Sequence, residues 1–184
     1  MTERLHSSFD EATWAYLPHA MKQQLARAEY LWTDIHHRLG TGLSDFGAVA
    51  TAYAKALEVP LHAALAPVFQ SPAYQEAYAK LHPKKPLQKP TLGSMIFLLQ
   101  TSQKYPEDVQ RMLASRGIQI PYDGSLAEEL DQVAKIRNDG AYTQTVDEQA
   151  LLKLRSALLG GRLLARLAAS LVPALRLHVV PEER

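Results

Sequence analysis

Cysteine is absent from this 184-residue chain. That removes disulfides, thiolate zinc sites and a cysteine nucleophile, and it fits a reducing compartment. Uninterrupted apolar runs long enough to span a bilayer are also missing: even Leu163 to Leu177 is broken by Arg166 and Arg176. The polar stretch Met1 to Phe9 has no apolar h-region, so no signal peptide is expected and the location implied is cytoplasmic. No Gly-rich phosphate loop, Ser-His-Asp order or helix-turn-helix pattern occurs, and no segment alternates long enough for a sheet. What is present is an ordinary globular balance, 47% hydrophobic and 21% charged, at a length suited to a single helical domain spanning 1–184. Within it, 1–20 is read as an N-terminal arm or short helix.

Net charge is only +1, but the charges are unevenly spread. No acid occurs from Ala77 to Pro106, where Lys80, Lys84, Lys85, Lys89 and Lys104 fall. None occurs from Gln149 to Pro181, which holds Lys153, Arg155, Arg162, Arg166 and Arg176. Such segregation either builds a field that attracts phosphates or marks solvated helix faces.

The pattern throughout is helical. Ser8 to Glu11 is a capping-box pattern, and Pro18 suits the start of a helix. Met21, Leu25, Ala28, Trp32, Ile35 and Leu39 recur at spacings of one turn, with Gly40 as the stop. Asp45 or Ser44 is placed to cap a second helix with the stripe Phe46, Val49, Tyr53, Leu57, Leu61 and Ala64. Pro60 inside it predicts a kink rather than an end. Ser71-Pro72 opens a short helix to about Leu81. Pro83 to Pro90 reads as an exposed basic loop. Thr91 caps a helix to about Lys104, and Pro106 to Arg116 forms another, stopped by Gly117. Asp123-Gly124 reads as a turn, and Ser125 to Glu128 as a capping box for a helix ending at Gly140. Thr145 to Glu148 is a third such box, followed by a long Leu-rich C-terminal helix running to about Val172. Gly160-Gly161 weakens that helix, and the tail Leu175 to Val180 is left unassigned. These elements predict an all-α helical bundle, with the two long helices and those after Ser125 and Thr145 at its core. Apolar residues on more than one side of the last helix suggest a two-fold homodimer.

One segment carries chemistry: Lys135-Ile136-Arg137-Asn138-Asp139-Gly140-Ala141-Tyr142, at a helix end. It resembles the HEPN domains, whose Arg-x(4-6)-His motif often reads Arg-Asn-x-x-Ala-His. Arg137, Asn138 and Ala141 match in place, and Tyr142 stands where histidine belongs. Tyr53-Ala54-Lys55-Ala56-Leu57-Glu58 resembles the "KALE" helix of one group of HEPN-like proteins, and Thr91-Leu92-Gly93-Ser94-Met95 resembles the "TLG" helix start that follows it there. The resemblance spans about Ala28 to Leu159 and implies a HEPN-like fold, a homodimer and metal-independent action on RNA without a cofactor. It also implies a prokaryotic defence or toxin–antitoxin setting with a companion protein. By this resemblance Arg137 holds the phosphate with its bidentate fork, Asn138 orients the loop or the phosphate, and Tyr142 fills the acid/base position. An unperturbed tyrosine, with a pKa of about 10, is a poor base at neutral pH. Loss of acid/base help costs roughly 100- to 10,000-fold, so a degenerate endoribonuclease and a catalytically silent RNA-binding domain both follow from the motif. Read without the resemblance, Arg137 is a helix C-terminal cation and Asn138-Asp139-Gly140 a C-cap and turn.

Lys84, Lys85, Lys89 and His82 are the further phosphate-contact candidates, against the alternative of a solubilising lysine loop. His36-His37 project about 100° apart on a helix, which is poor for metal binding, and Glu58-His62 can form a one-turn dyad. His6, His19 and His178 lack partners in pattern, and no metal site is expected. Two other function classes remain open beside the RNA reading: a non-enzymatic helical dimerisation or regulatory module, and a small-ligand or nucleotide sensor.

Overall fold

Proline and apolar spacing together set the first helix. The computed structural model describes residues 14–15, 17–39, 45–87, 89–119, 122–139, 145–160, 163–164 and 166–167. Pro18 accepts from the Lys22 N–H (3.1 Å), and α1 spans His19–Leu39. Met21, Leu25 and Ala28 are buried, with Trp32 and Ile35 packed partly against the same core. The patterns at Ser8 to Glu11 and at Gly40, Ser44 and Gly140 lie outside the described residues.

α2 spans Gly47–Gln70 and runs through both Pro60 and Pro67. Each proline leaves one carbonyl a turn earlier without its helical donor. Packing of the predicted stripe against the core holds the helix through them, since every residue of that stripe is buried. Asp45 does not cap α2. The N-cap is Phe46, and Asp45 sits one residue earlier, accepting from the Gly47 N–H (2.9 Å) and the Val146 N–H (3.2 Å). The carboxylate therefore ties the start of α2 to a segment 101 residues away in sequence.

α3 (Pro72–Leu81) begins as expected, with the Ser71 hydroxyl accepting from the Tyr74 N–H and proline in the first turn. α4 (Leu92–Thr101) is capped by a reciprocal Thr91–Ser94 box and passes into a short 3₁₀ turn, Ser102–Lys104, rather than staying α-helical to Lys104. α5 (Glu107–Ala114) stops at Gly117, whose φ of 79° is the left-handed geometry glycine permits. There the Ile118 N–H reaches back to the Leu113 carbonyl (3.1 Å).

Two further caps differ from the sequence reading. α6 spans Gly124–Asn138, and its cap is Asp123, which accepts from the N–H groups of Ser125 and Leu126. α7 spans Glu148–Leu159, and its cap is Asp147, which accepts from the Ala150 N–H. In both cases an aspartate stood near the Ser or Thr that matched the box. A carboxylate is the stronger acceptor for helix N–H groups, so it took the cap. α7 ends at Leu159 with Gly160 following. Residues 163–164 and 166–167 are helical again, while the rest of the expected long C-terminal helix lies outside the described residues.

Seven α-helices have defined ends, and none of the described residues is in a strand. The molecule is an all-α bundle around one hydrophobic cluster. α1 and α2 are antiparallel, since Glu29 meets Tyr53 and the Trp32 ring lies 5.7 Å from Phe46. α7 runs with α2: its entry residue Val146 pairs with Phe46 (2.8 Å), and Arg155 reaches the Glu29 that also meets Tyr53. α6 packs on α2, α4 and α7. Beyond α7, Arg166 returns to the start of α6, bonding Asp123 (2.7 Å), Glu129 (2.5 Å) and Ser125 (2.6 Å).

That last cluster makes a pH prediction. Bonds from Arg166, and then from Ser125, hold the Asp123 carboxyl down at about 2. The native state therefore keeps this carboxylate ionised where the unfolded chain, near its ordinary 3.8, does not. The stabilisation is complete above about pH 5 and is lost as pH falls through 3.8 toward 2. A carboxyl NMR titration is expected to show Asp123 with a midpoint well below 3, rising toward the ordinary range in Arg166→Gln. An unchanged midpoint in that variant would remove Arg166 as the cause.

Candidate functional site

Arg137 occupies the last turn of α6, where a cation is favoured by the helix dipole. Ile136 beside it packs partly into the core and sets the rotation of the turn. Arg137 is half-buried and Asn138 exposed. The Arg137 Nη1 donates to the Asn138 Oδ1 at 3.0 Å, so the two motif side chains are brought together. Tyr142, with Gly140 and Ala141, lies outside the described residues. The chain re-enters at Thr145, and Val146 is pinned to Phe46 and Asp45 at the start of α2. The motif segment is thus bounded by the end of α6 on one side and by the paired starts of α2 and α7 on the other.

The basic loop is built differently. Lys84, Lys85 and Lys89 are all exposed. The loop is anchored on α3 and α4: the His82 N–H donates to the Tyr78 carbonyl (2.8 Å), and the Lys85 N–H to the His82 carbonyl (3.0 Å). At its far end the Lys89 carbonyl accepts from the Thr91 N–H (2.8 Å) and the Ser94 hydroxyl (2.5 Å). The His82 ring packs against Tyr78 (4.7 Å between centroids) and Phe97 (5.6 Å). Gly93, in the first turn of α4, faces open space, so no packing demand explains the missing side chain.

The two supporting segments have clear structural roles. In the "KALE" stretch Tyr53, Ala54, Ala56 and Leu57 are core residues, Lys55 is exposed and Glu58 half-buried. The "TLG" stretch is a helix cap. No hydrogen bond joins Glu58 to His62, which is exposed. Among the described residues no group of three or more His, Asp or Glu side chains is placed to hold a metal ion.

Sequence reading missed the half-buried polar network that joins α1, α2 and α7. Arg155 on α7 grips Glu29 on α1 with two bonds, Nε to Oε1 (2.7 Å) and Nη2 to Oε2 (2.9 Å), and the Tyr53 hydroxyl on α2 donates to the same Glu29 Oε1. Burial, and then the Glu29 carboxylate, push the Tyr53 phenol up, so it stays protonated and is no nucleophile. Burial alone would raise the Glu29 carboxyl. The bonds from Arg155 and Tyr53 outweigh it and leave it lowered. Arg155 and Glu29 are 126 residues apart, and no spacing rule links them. The network also changes the reading of the acid-free stretch from Gln149 to Pro181. Arg155 and Arg166 are neutralised by acids from α1 and from the start of α6, so two of its cations add little to an external field.

No family model matches the chain, and no similar curated protein or solved structure was found.

Proposed function

We propose that this chain is a HEPN-like RNA-binding domain, with Arg137 and Asn138 as its phosphate-contact pair and the lysine loop adding sequence-independent attraction. The observation that carries the reading is the direct Arg137–Asn138 bond on the last turn of α6, beside an exposed amide. It holds a guanidinium and an amide side by side at the helix end where the motif resemblance implies a phosphate. Lys84, Lys85 and Lys89 are exposed on a loop tied down at both ends, so binding an RNA backbone there orders little additional chain. In this reading Tyr142 stacks on a base or donates to a phosphate. The domain acts as a homodimer and as a degenerate metal-independent endoribonuclease of a prokaryotic defence or toxin–antitoxin system.

The test is anisotropy of a labelled single-stranded RNA across a salt series. Arg137→Ala is expected to weaken binding about tenfold, the worth of one charge-assisted bidentate contact. The triple variant Lys84→Gln, Lys85→Gln, Lys89→Gln is expected to flatten the slope of log K against log salt by about 2, from about 0.7 per lost phosphate contact on a single strand. Tyr142→His is expected to bring a gain in cleavage. Equal affinity and equal slope in all variants would end the RNA reading.

A second reading, a non-enzymatic helical dimerisation or regulatory module, is favoured by two large apolar side chains open to solvent. Tyr30 on α1 and Leu152 on α7 are 54% and 43% exposed, on the two helices that the Arg155–Glu29 pair joins. A chain that dimerises but binds no RNA would move the conclusion to that module.

A further inference from the structure

Along the seam of α1 and α2 lies a groove of about 540 Å³. Arg27 and Lys55 stand on it from the two helices, and Leu31 and Ala52 contribute to a mainly apolar lining. Both cations are exposed, and neither is ion-paired with a described residue. Elsewhere the helix-joining arginines, Arg155 and Arg166, are each engaged by carboxylates. Among the described residues, the groove's lining holds these two positive charges and no acid to answer them. Gln24 lines the same groove, and its Oε1 is buried with no hydrogen-bond partner among the described residues. An orphaned amide acceptor gains by turning toward any donor that enters. The Thr51 hydroxyl adds a further polar group from α2. Concave, largely apolar walls with a few convergent polar groups are how small-molecule sites are built.

We propose that this groove binds a small organic anion. Its apolar or aromatic body seats against Leu31 and Ala52, its acidic group is held by Arg27 and Lys55, and an N–H or O–H on the body is received by Gln24. The volume suits a body of one or two rings rather than a polymer. Among the described residues, none of the Arg137 turn or the lysine loop lines the groove, and the proposal does not rest on the RNA reading.

The probe is 8-anilinonaphthalene-1-sulfonate, which carries the three features: a fused aromatic body, a sulfonate and an N–H. Titration of the full chain, followed by dye fluorescence, is expected to saturate at one dye per chain. The double variant Arg27→Gln, Lys55→Gln is expected to weaken binding at least tenfold, and Gln24→Leu several-fold. N-phenyl-1-naphthylamine, the same body and N–H without the acid, is expected to bind at least tenfold more weakly than the sulfonate. The triple lysine-loop variant is expected to bind the dye as the wild type does, which keeps this result distinct from the RNA test. Arg27 and Lys55 are both exposed, so their replacement leaves the core intact, and an unchanged helical circular dichroism spectrum checks that. Equal dye affinity in the wild type and the double variant, or equal affinity for the neutral amine, would overturn the proposal.

Discussion

Leu57→Ala is expected to cost about 3–4 kcal/mol of folding stability, the upper half of the range for a buried leucine cut to alanine. Leu57 is fully buried near the middle of α2, the helix that touches α1, α3, α4, α5, α6 and α7. A cavity there has packed neighbours on every side and little room to collapse, which is what pushes such a cost upward. In a domain of this size the loss corresponds to a fall in melting temperature of about 10 °C. Lys55→Ala, two residues away and exposed, is expected to stay within about 0.5 kcal/mol. Urea unfolding of the three proteins measures the contrast. It also bears on how the "KALE" segment is understood: if Leu57 dominates and Lys55 is silent, that segment matters to the fold through packing. A loss below about 1 kcal/mol at Leu57 would mean that α2 is not the central helix.

The second large effect is electrostatic. Arg155→Met is expected to destabilise the protein by about 2–3 kcal/mol, somewhat below the 3–5 typical of breaking a fully buried pair. The discount follows from exposure: the Arg155 side chain is 34% accessible, that of Glu29 15%. The cost comes from the carboxylate left behind, with only the Tyr53 hydroxyl to serve it. The companion double variant, Arg155→Met with Glu29→Gln, is therefore expected to be more stable than Arg155→Met alone. A double variant as unstable as the sum of its two singles would show that the pair is not coupled.

The same pair has a pH signature. Because the folded state lowers the Glu29 carboxyl below its ordinary 4.5, the contribution is complete above about pH 5.5 and drains as pH falls through 4.5 and then through the depressed folded value. The difference in stability between wild type and Arg155→Met is thus expected to shrink in acid. The Arg155 guanidinium stays charged throughout, so no matching loss occurs on the alkaline side.

Much of the scaffold was legible in the chain. Stripes at one-turn spacing, through Ile35 in α1 and throughout α2, face the core, and Ser71-Pro72, Thr91 and Gly117 begin or end helices where their local chemistry and geometry demand. The misread helix caps share one cause. At Asp45, Asp123 and Asp147 the sequence offers two or three short polar side chains within reach of the same helix N–H groups. Periodicity does not say which will accept. At Asp45 the choice depended on Val146, a partner far away in sequence.

The candidate site was legible only as a string. Arg137 and Asn138 could be singled out, and their placement at a helix end anticipated, because the apolar stripe of α6 and the Asn-Asp-Gly break are local signals. Their mutual bond was not legible, since it depends on the rotamer the packed turn imposes. The charge pattern misled in part. Two arginines of the acid-free C-terminal stretch are matched by acids brought to them by the fold. Nothing in the sequence joins Arg27 to Lys55, which stands out there only within the "KALE" segment, because the two lie on different helices and have no pattern between them.

By itself the sequence determined that the described residues are helical, where their helices start to within about two residues, and which residues turn inward. Those are outcomes of spacing and of backbone hydrogen bonding within a few residues. Tertiary structure alone decided which cations are spent on carboxylates, that Glu29, Tyr53 and Arg155 meet, that Asp45 clasps the strand-free entry to α7, and that α1 and α2 leave a positively edged groove between them. Electrostatic partners are chosen by distance in space, and a chain reveals that distance only once its apolar faces have packed.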